Sequence, residues 1–273
     1  MTTVHRYVPG IGIAVATLLL AGAAQRSSQP ASYRGWSSYG GGPEQLRYSS
    51  LTQINRRNVA KLEVAWTHDT GESGDLQTQP IVAGDIVYAY SPNQRVLALD
   101  AATGKVVWTF DAKLQGGRGP NRGAIYWGGD GSTPARIFAG IAEYLYALDA
   151  KTGTPITDFG TGGRLDLRQD LGREEKGQSV RLTSPGAIYK DLLIIGGRVN
   201  EGLPGSPGHI RAYDVRTGKL RWIFHTIPRP GEAGYETWSK DSWQYNGGAN
   251  SWPGMALDEQ RGIVYAPTGS ASS

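Results

Sequence analysis

One short segment, repeated along the chain, limits the possible folds more than any other feature. It reads ALDAATGKVVW at residues 98–108, ALDAKTG at residues 147–153 and AYDVRTGKLRW at residues 212–222. Its aspartate recurs after 49 and then 65 residues, at and above the usual spacing of propeller blades. Because repeats of this length stack as similar supersecondary units, the sequence predicts an all-β propeller.

Each copy has the chemistry of a β-hairpin. An apolar strand ends at the aspartate, which can hydrogen-bond nearby backbone, and the glycine can adopt the left-handed conformation that tight loops need. Trp108 and Trp222 open the next strand in two copies, whereas the middle copy has Thr157 at that position. We therefore assign Asp100, Asp214 and both tryptophans to hairpin formation and blade docking, not to catalysis.

Four short strands can be traced around the first copy. They cover residues 80–82, 86–90, 96–99 and 106–110. Similar sets surround the other two copies, and residues 255–257 and 263–266 begin a further pair of strands. The 39 glycines, 8 tryptophans and 14 tyrosines suit short strands joined by tight turns. About three and a half blades are expected, fewer than the four to eight that close a propeller.

Charge and cysteine content exclude several functions. The 28 basic and 24 acidic residues give a formal net charge of +4, and the basic residues are scattered, with Arg56 and Arg57 the densest basic spot near the start. Nucleic-acid binding needs a concentrated basic patch, so no nucleic-acid partner is expected. The chain has no cysteine, which excludes disulfides, thiolate metal sites, cysteine nucleophiles and acylation at cysteine.

The N-terminus has the three zones of a secretory signal. A polar start is followed by an apolar stretch at residues 11–21 and by the small residues AGAA at 21–24. A membrane anchor is the alternative, but it needs about 20 predominantly apolar residues. The sequence therefore predicts a cleaved signal peptide at residues 1–24 and an exported propeller at residues 25–273, without a stable membrane span after cleavage.

Four stretches between the repeats carry further motifs. They are WSSYGG at 36–41 with LTQIN at 51–55, NRGAIYW at 121–127, TSP at 183–185 with IIGG at 194–197 and Glu201, and GGANSW at 247–252 with PTGS at 267–270. In this order, and with the tryptophan repeat, they resemble the alcohol and glucose dehydrogenase branch of the quinoprotein dehydrogenases. That resemblance implies a periplasmic, eight-bladed propeller that holds pyrroloquinoline quinone near the ring axis.

The resemblance also implies a cofactor site. The quinone is a flat aromatic molecule with three carboxylates. In the family an arginine, here Arg122, pairs with a carboxylate; a threonine, here Thr183, hydrogen-bonds the cofactor; and a tryptophan, here Trp252, lies beneath the quinone. These residue types suit the ligand because tryptophan has the largest stacking face and the guanidinium fork matches a carboxylate.

A calcium site is the second implication of the resemblance. Glu201 corresponds to the family's glutamate ligand, and Ser270 occupies the place of a calcium-binding asparagine. Ca²⁺ takes about 6 to 8 oxygen ligands, and serine is a poorer ligand than asparagine. Each assignment has a structural alternative: Arg122 and Glu201 as solvated loop residues, Trp252 as propeller core, and Thr183, at a strand start, as the cap of a turn.

Two departures from the family pattern bear on the pocket. Alcohol dehydrogenases carry two adjacent cysteines where this chain has Gly116 and Gly117, so a vicinal disulfide is impossible. Near the glutamate, family members often have small residues that approach the cofactor, whereas this chain has Arg198, Val199 and Asn200. The pocket is therefore expected to suit another substrate, such as a sugar.

The family mechanism needs a base that these residues do not supply. There, an aspartate takes the hydroxyl proton of an alcohol or sugar, hydride passes to the quinone, and a respiratory acceptor, cytochrome c or a quinone, takes the electrons. By the family's order this aspartate follows residue 273, and Asp241 and Asp258 match no catalytic position. We expect part of a dehydrogenase that is inactive by itself. The alternative is an exported, non-enzymatic propeller scaffold that binds proteins.

Overall fold

The first blade shows how the repeat becomes structure. In a computed structural model of the chain, which describes residues 35–113, 119–174 and 176–272, it is a four-stranded antiparallel sheet. Its strands are β1 (Ile81–Ala83), β2 (Ile86–Tyr90), β3 (Val96–Asp100) and β4 (Val106–Phe110). All four expected strands are confirmed to within one residue at each end. The predicted signal peptide and the 116–117 glycine pair lie outside the described residues.

The hairpin between the third and fourth strands depends on its aspartate. The Asp100 carboxylate accepts hydrogen bonds from the hydroxyl of Thr103 at 2.6 Å and from its backbone N–H at 2.8 Å. These bonds, the hydroxyl first, hold the pKa of Asp100 below its usual range because they favour the charged form. Asp149 and Asp214 accept the same pair of bonds from Thr152 and Thr217. The structural assignment of these aspartates is confirmed.

Two more complete blades and part of another follow. The second blade is β5 (Ile125–Trp127), β6 (Arg136–Ile141), β7 (Tyr144–Asp149) and β8 (Arg164–Asp166). A two-stranded ribbon of β9 (Val180–Arg181) and β12 (Arg198–Val199) flanks the third blade, which is β10 (Ala187–Tyr189), β11 (Leu192–Ile195), β13 (Ile210–Asp214) and β14 (Leu220–Phe224). Strands β15 (Ala256–Asp258) and β16 (Ile263–Tyr265) pair as the half-blade. The all-β prediction of three and a half blades is confirmed.

Helical structure in the described ranges is short. It comprises α1 (Ser242–Tyr245) and the 3-10 turns Val59–Lys61 and Tyr235–Thr237. Over the same ranges, no helix has the length and apolar character that crossing a membrane requires.

The hydrophobic core lies between blades. Tyr88 and Trp108 of the first blade pack with Ile137 and Leu148 of the second. Phe138 of the second blade belongs to a cluster that the third blade continues. A smaller cluster joins the third blade to the half-blade. Neighbouring blades therefore stabilise one another by burying shared apolar surface.

Docking by the repeat tryptophan is visible between the first two blades. Trp108 is 8% exposed, and its Nε1–H donates to the carbonyl oxygen of Ala150 at 3.0 Å. A Cβ on Gly153 would lie 2.6 Å from the Trp108 ring, and the φ of this glycine is +73°, so the turn requires glycine on both counts. Trp66, which lies outside the three copies of the repeat, donates the equivalent indole hydrogen bond to the carbonyl oxygen of Ala101.

The other two docking positions differ. In the second blade, where Thr157 replaces the tryptophan, Phe159 is fully buried and contacts the turn at Gly218. Trp222 is 36% exposed, and its indole N–H has no hydrogen-bond partner among the described residues. Docking by Trp222, expected from the repeat, is therefore not made within this part of the chain.

Candidate functional site

The site is marked by an exposed tryptophan and by an arginine that has no carboxylate partner among the described residues. Trp252 is 45% exposed, and the guanidinium carbon of Arg122 lies 5.4 Å from its ring centroid. Arg122 Nη1 donates to Ser184 Oγ at 3.3 Å, and Ser184 Oγ donates to the Trp252 carbonyl oxygen. Within the described ranges, Arg122 forms no ion pair. Its charge is thus available to a ligand.

Backbone hydrogen bonds fix the arginine loop between two blades. The N–H of Arg122 donates to the carbonyl of Thr183 at 2.9 Å, and the carbonyl of Arg122 accepts the N–H of Gln79 at 2.9 Å. Gly123, with φ of +146°, lets the chain turn into β5, and a Cβ there would lie 3.0 Å from the Gln79 oxygen. Thr183 itself is buried between β9 and β10. The expectation that it starts a strand is therefore wrong.

The two predicted metal ligands lie on other loops. Glu201 is exposed and follows β12, and Ser270 is exposed and follows β16. The carbonyl oxygen of Ser270 accepts the N–H of Ala249 at 2.8 Å, and the Gly269 N–H donates to the Asn250 carbonyl at 3.1 Å. These bonds hold the serine loop beside the segment that carries Trp252.

One cavity of about 640 Å³ gathers all five predicted site residues. Its wall is formed by Gln77, Pro120, Arg122, Thr183, Arg198, Val199, Glu201, Gly248, Asn250, Trp252, Gly269, Ser270, Ala271 and Ser272. Asp241 and Asp258, which match no catalytic position of the family, are not on this wall. Gln77, Asn250 and Ser272 were missed, because a polar residue in a loop gives no sign of which cavity it faces.

The cavity has the chemistry of a site for an aromatic polycarboxylate. Trp252 offers an open aromatic face, and the charged wall residues are Arg122, Arg198 and Glu201. Glu201 is the single carboxylate on the wall, and no cluster of three His, Cys, Asp or Glu side chains occurs in the described residues. A hard cation held here would therefore take its other oxygen ligands from neutral groups of the wall, from water or from a bound ligand. The cofactor and metal roles of the five residues remain predictions.

Comparison with known proteins agrees with this architecture. Residues 36–273 match the family described as "PQQ: Glucose/ethanol/alcohol dehydrogenase, beta-propeller domain". The dehydrogenase subunit of a quinone-dependent alcohol dehydrogenase from Gluconobacter oxydans is 34% identical over 87% of this chain. Quinoprotein glucose dehydrogenase A of Acinetobacter calcoaceticus is 33% identical over 86%.

A solved structure extends the likeness to three dimensions. A quinohemoprotein alcohol dehydrogenase from Pseudomonas putida HK5 superposes with a TM-score of 0.72 at 29% identity, over 87% of this chain. The aligned parts make up only 32%, 33% and 35% of these three relatives. The chain thus spans about a third of the length of the proteins it matches.

Proposed function

Because this chain belongs to the pyrroloquinoline quinone-dependent glucose/ethanol/alcohol dehydrogenase β-propeller family, we propose that it forms the cofactor-holding part of a periplasmic dehydrogenase for alcohols or sugars. The observation that carries the proposal is the convergence of Arg122, Thr183, Glu201, Trp252 and Ser270 on one cavity. A protein-binding scaffold does not require these five residues to converge on one cavity. The predicted signal peptide supports export.

In this proposal each side chain has a separate task. Trp252 would stack against the flat ring of the quinone, and Arg122 would pair with one of its carboxylates. Thr183 would add a hydrogen bond, while Glu201 and Ser270 would supply oxygen atoms to Ca²⁺. The quinone would supply hydride-acceptor chemistry for the oxidation of a substrate hydroxyl group, with a respiratory acceptor as the destination of the electrons.

The described residues of the cavity wall do not supply a general base for the reaction. Their single carboxylate is assigned to the metal, so the described residues offer no second carboxylate to take the hydroxyl proton. We propose that the base and the remaining blades belong to a longer chain, as the relatives' greater length suggests.

Calorimetric titration of the purified chain with the quinone and Ca²⁺ tests the proposal. We expect saturable binding that Trp252→Ala weakens by about 1 to 3 kcal/mol, because stacking and the adjoining charged contacts are lost. Trp222→Phe is the control, since Trp222 is away from the cavity and should leave the affinity unchanged. Absence of binding by the unaltered chain, or equal weakening by both substitutions, would contradict the proposed site.

A further inference from the structure

Arg198 is a charged residue of the cavity wall that has no role in the proposed cofactor site. It lies on β12, is exposed and lines the cavity. Its directly opposite partner in the two-stranded ribbon is Arg181 on β9. Arg181 forms an ion pair with Glu143 at 2.9 Å, whereas Arg198 forms none within the described part of the chain.

The two arginines that face each other across the ribbon repel, which destabilises the ribbon unless a negative charge lies nearby. Like charges directly across an antiparallel pair repel each other. Glu143 compensates Arg181, but the charge of Arg198 is kept on a concave wall with no acidic partner among the described residues. A guanidinium placed in this way suits an anionic ligand, because its planar fork donates two parallel hydrogen bonds to a carboxylate.

The charges on the cavity wall can be compared with those of the proposed ligand. Arg122 and Arg198 contribute two positive charges and Glu201 one negative charge, so that with a divalent cation the site totals +3. The quinone brings three carboxylates. With Arg122 alone, the site would fall one positive charge short of the ligand.

We propose that Arg198 is a second carboxylate anchor for the quinone, acting from a different structural element than Arg122. This inference rests on the proposed cofactor site. Arg122 precedes β5 of the second blade, whereas Arg198 belongs to the ribbon beside the third blade. Two carboxylates held by separate elements fix the rotation of the flat ring over Trp252, which stacking alone leaves free.

The test compares the quinone with its trimethyl ester, in which all three carboxylates are neutral. Calorimetric titrations use the full chain, Arg198→Gln, Arg198→Lys and the matched control Arg181→Gln, which removes the same charge from the opposite strand. We expect Arg198→Gln to weaken quinone binding on the order of 10- to 100-fold, as loss of a charged hydrogen bond predicts. The affinity of Arg198→Gln for the ester should equal that of the unaltered chain. For the quinone, Arg198→Lys should lose less affinity than Arg198→Gln, and Arg181→Gln should bind as tightly as the unaltered chain.

The outcomes separate this inference from the proposed function. If the unaltered chain binds quinone and Arg198→Gln binds it equally well, Arg198 is not an anchor and the proposed site stands. Equal weakening for quinone and ester would assign Arg198 a role in the shape of the wall and overturn the inference. If the unaltered chain binds neither compound, the proposed function fails and the anchor fails with it.

Discussion

Exposure distinguishes the predicted cofactor tryptophan, Trp252, from the docking tryptophan Trp108. Trp108 is buried and its indole N–H is bonded to the next blade, whereas Trp252 keeps nearly half of its surface open on a polar cavity. Large aromatic side chains are buried when packing alone decides their place. In the proposed function, the open face of Trp252 stacks on the ligand and the neighbouring Arg122 pairs with one of its negative charges.

Glu201 should control the calcium requirement. The substitution Glu201→Gln removes the single carboxylate that the described residues place on the wall. The Ca²⁺ concentration at half-saturation should therefore rise by about tenfold or more. Calorimetric titration with Ca²⁺ in the presence of quinone measures this concentration. Glu236→Gln, an exposed residue away from the cavity, should leave the calcium titration unchanged. An unchanged requirement in Glu201→Gln would remove this residue from the metal site.

His209 should make the fold acid-sensitive. It is 5% exposed, its ring centroid is 4.6 Å from that of His225, and burial lowers its pKa to about 3, with His225, Arg229, Arg211 and Arg173 adding to the effect. An unfolded histidine has a pKa near 6.5. Between these values the unfolded chain binds a proton that the folded chain does not, so stability falls as pH falls.

Urea unfolding at several pH values measures this linkage. From pH 6.5 to pH 5, His209 should cost the unaltered chain roughly 1.5 kcal/mol of unfolding free energy. The variant His209→Gln lacks the titrating group. Its free energy of unfolding should therefore fall by roughly 1.5 kcal/mol less than that of the unaltered chain between pH 6.5 and pH 5. Parallel pH profiles for the two proteins would show that His209 is protonated equally in both states.

At the scale of elements, the docking residue of each blade decides how firmly it joins the next. Trp66 and Trp108 bond to the following turn, Phe159 fills the same place by apolar contact, and Trp222 stays partly exposed. A sequence comparison treats Trp108 and Trp222 as equivalent. The structure distinguishes them because docking needs a partner turn as well as a tryptophan.

Two alanine substitutions at equivalent repeat positions test this distinction. Trp108→Ala should lower the free energy of unfolding by about 3 to 5 kcal/mol, because it leaves a cavity between two blades and removes the indole hydrogen bond to the Ala150 carbonyl. Trp222→Ala should cost less than about 1 kcal/mol in this chain, as expected for a partly exposed side chain. Urea denaturation followed by circular dichroism gives both values, and equal losses would contradict the docking assignment.

For the whole molecule, the incomplete blade series sets what the chain can do. The third blade and the half-blade expose apolar surface at Trp222, Phe224, Ile263 and Tyr265. In the described residues, the half-blade consists only of the pair β15 and β16. Exposed strand edges and apolar patches favour association with other protein surface. In the proposed longer chain, further blades would cover this surface.

The 273 residues alone should therefore show no dehydrogenase turnover. The single wall carboxylate is assigned to Ca²⁺, and general-base catalysis typically contributes about 10² to 10⁴ in rate. Dye reduction is measured with quinone, Ca²⁺, glucose and short alcohols, and calorimetry on the same sample verifies that the quinone is bound. Robust turnover from soluble protein would mean that a base lies within this chain.

Local chemistry made the fold predictable from the sequence. An aspartate, a threonine and a glycine within five residues close each hairpin by short-range hydrogen bonds, so strand positions around Asp100 could be placed to within a residue. The five site residues were reached differently, by resemblance to a family. Their spacing along the chain, from Arg122 to Ser270, carries no information about distance in space.

Tertiary structure alone decided the contacts between distant segments. The opposition of Arg198 and Arg181, the burial of His209 and the exposure of Trp222 each depend on which strands pair and which faces meet. The physical reason is that hairpin formation is encoded within a few residues, whereas a cavity wall is assembled from loops that only the packing of whole blades brings together.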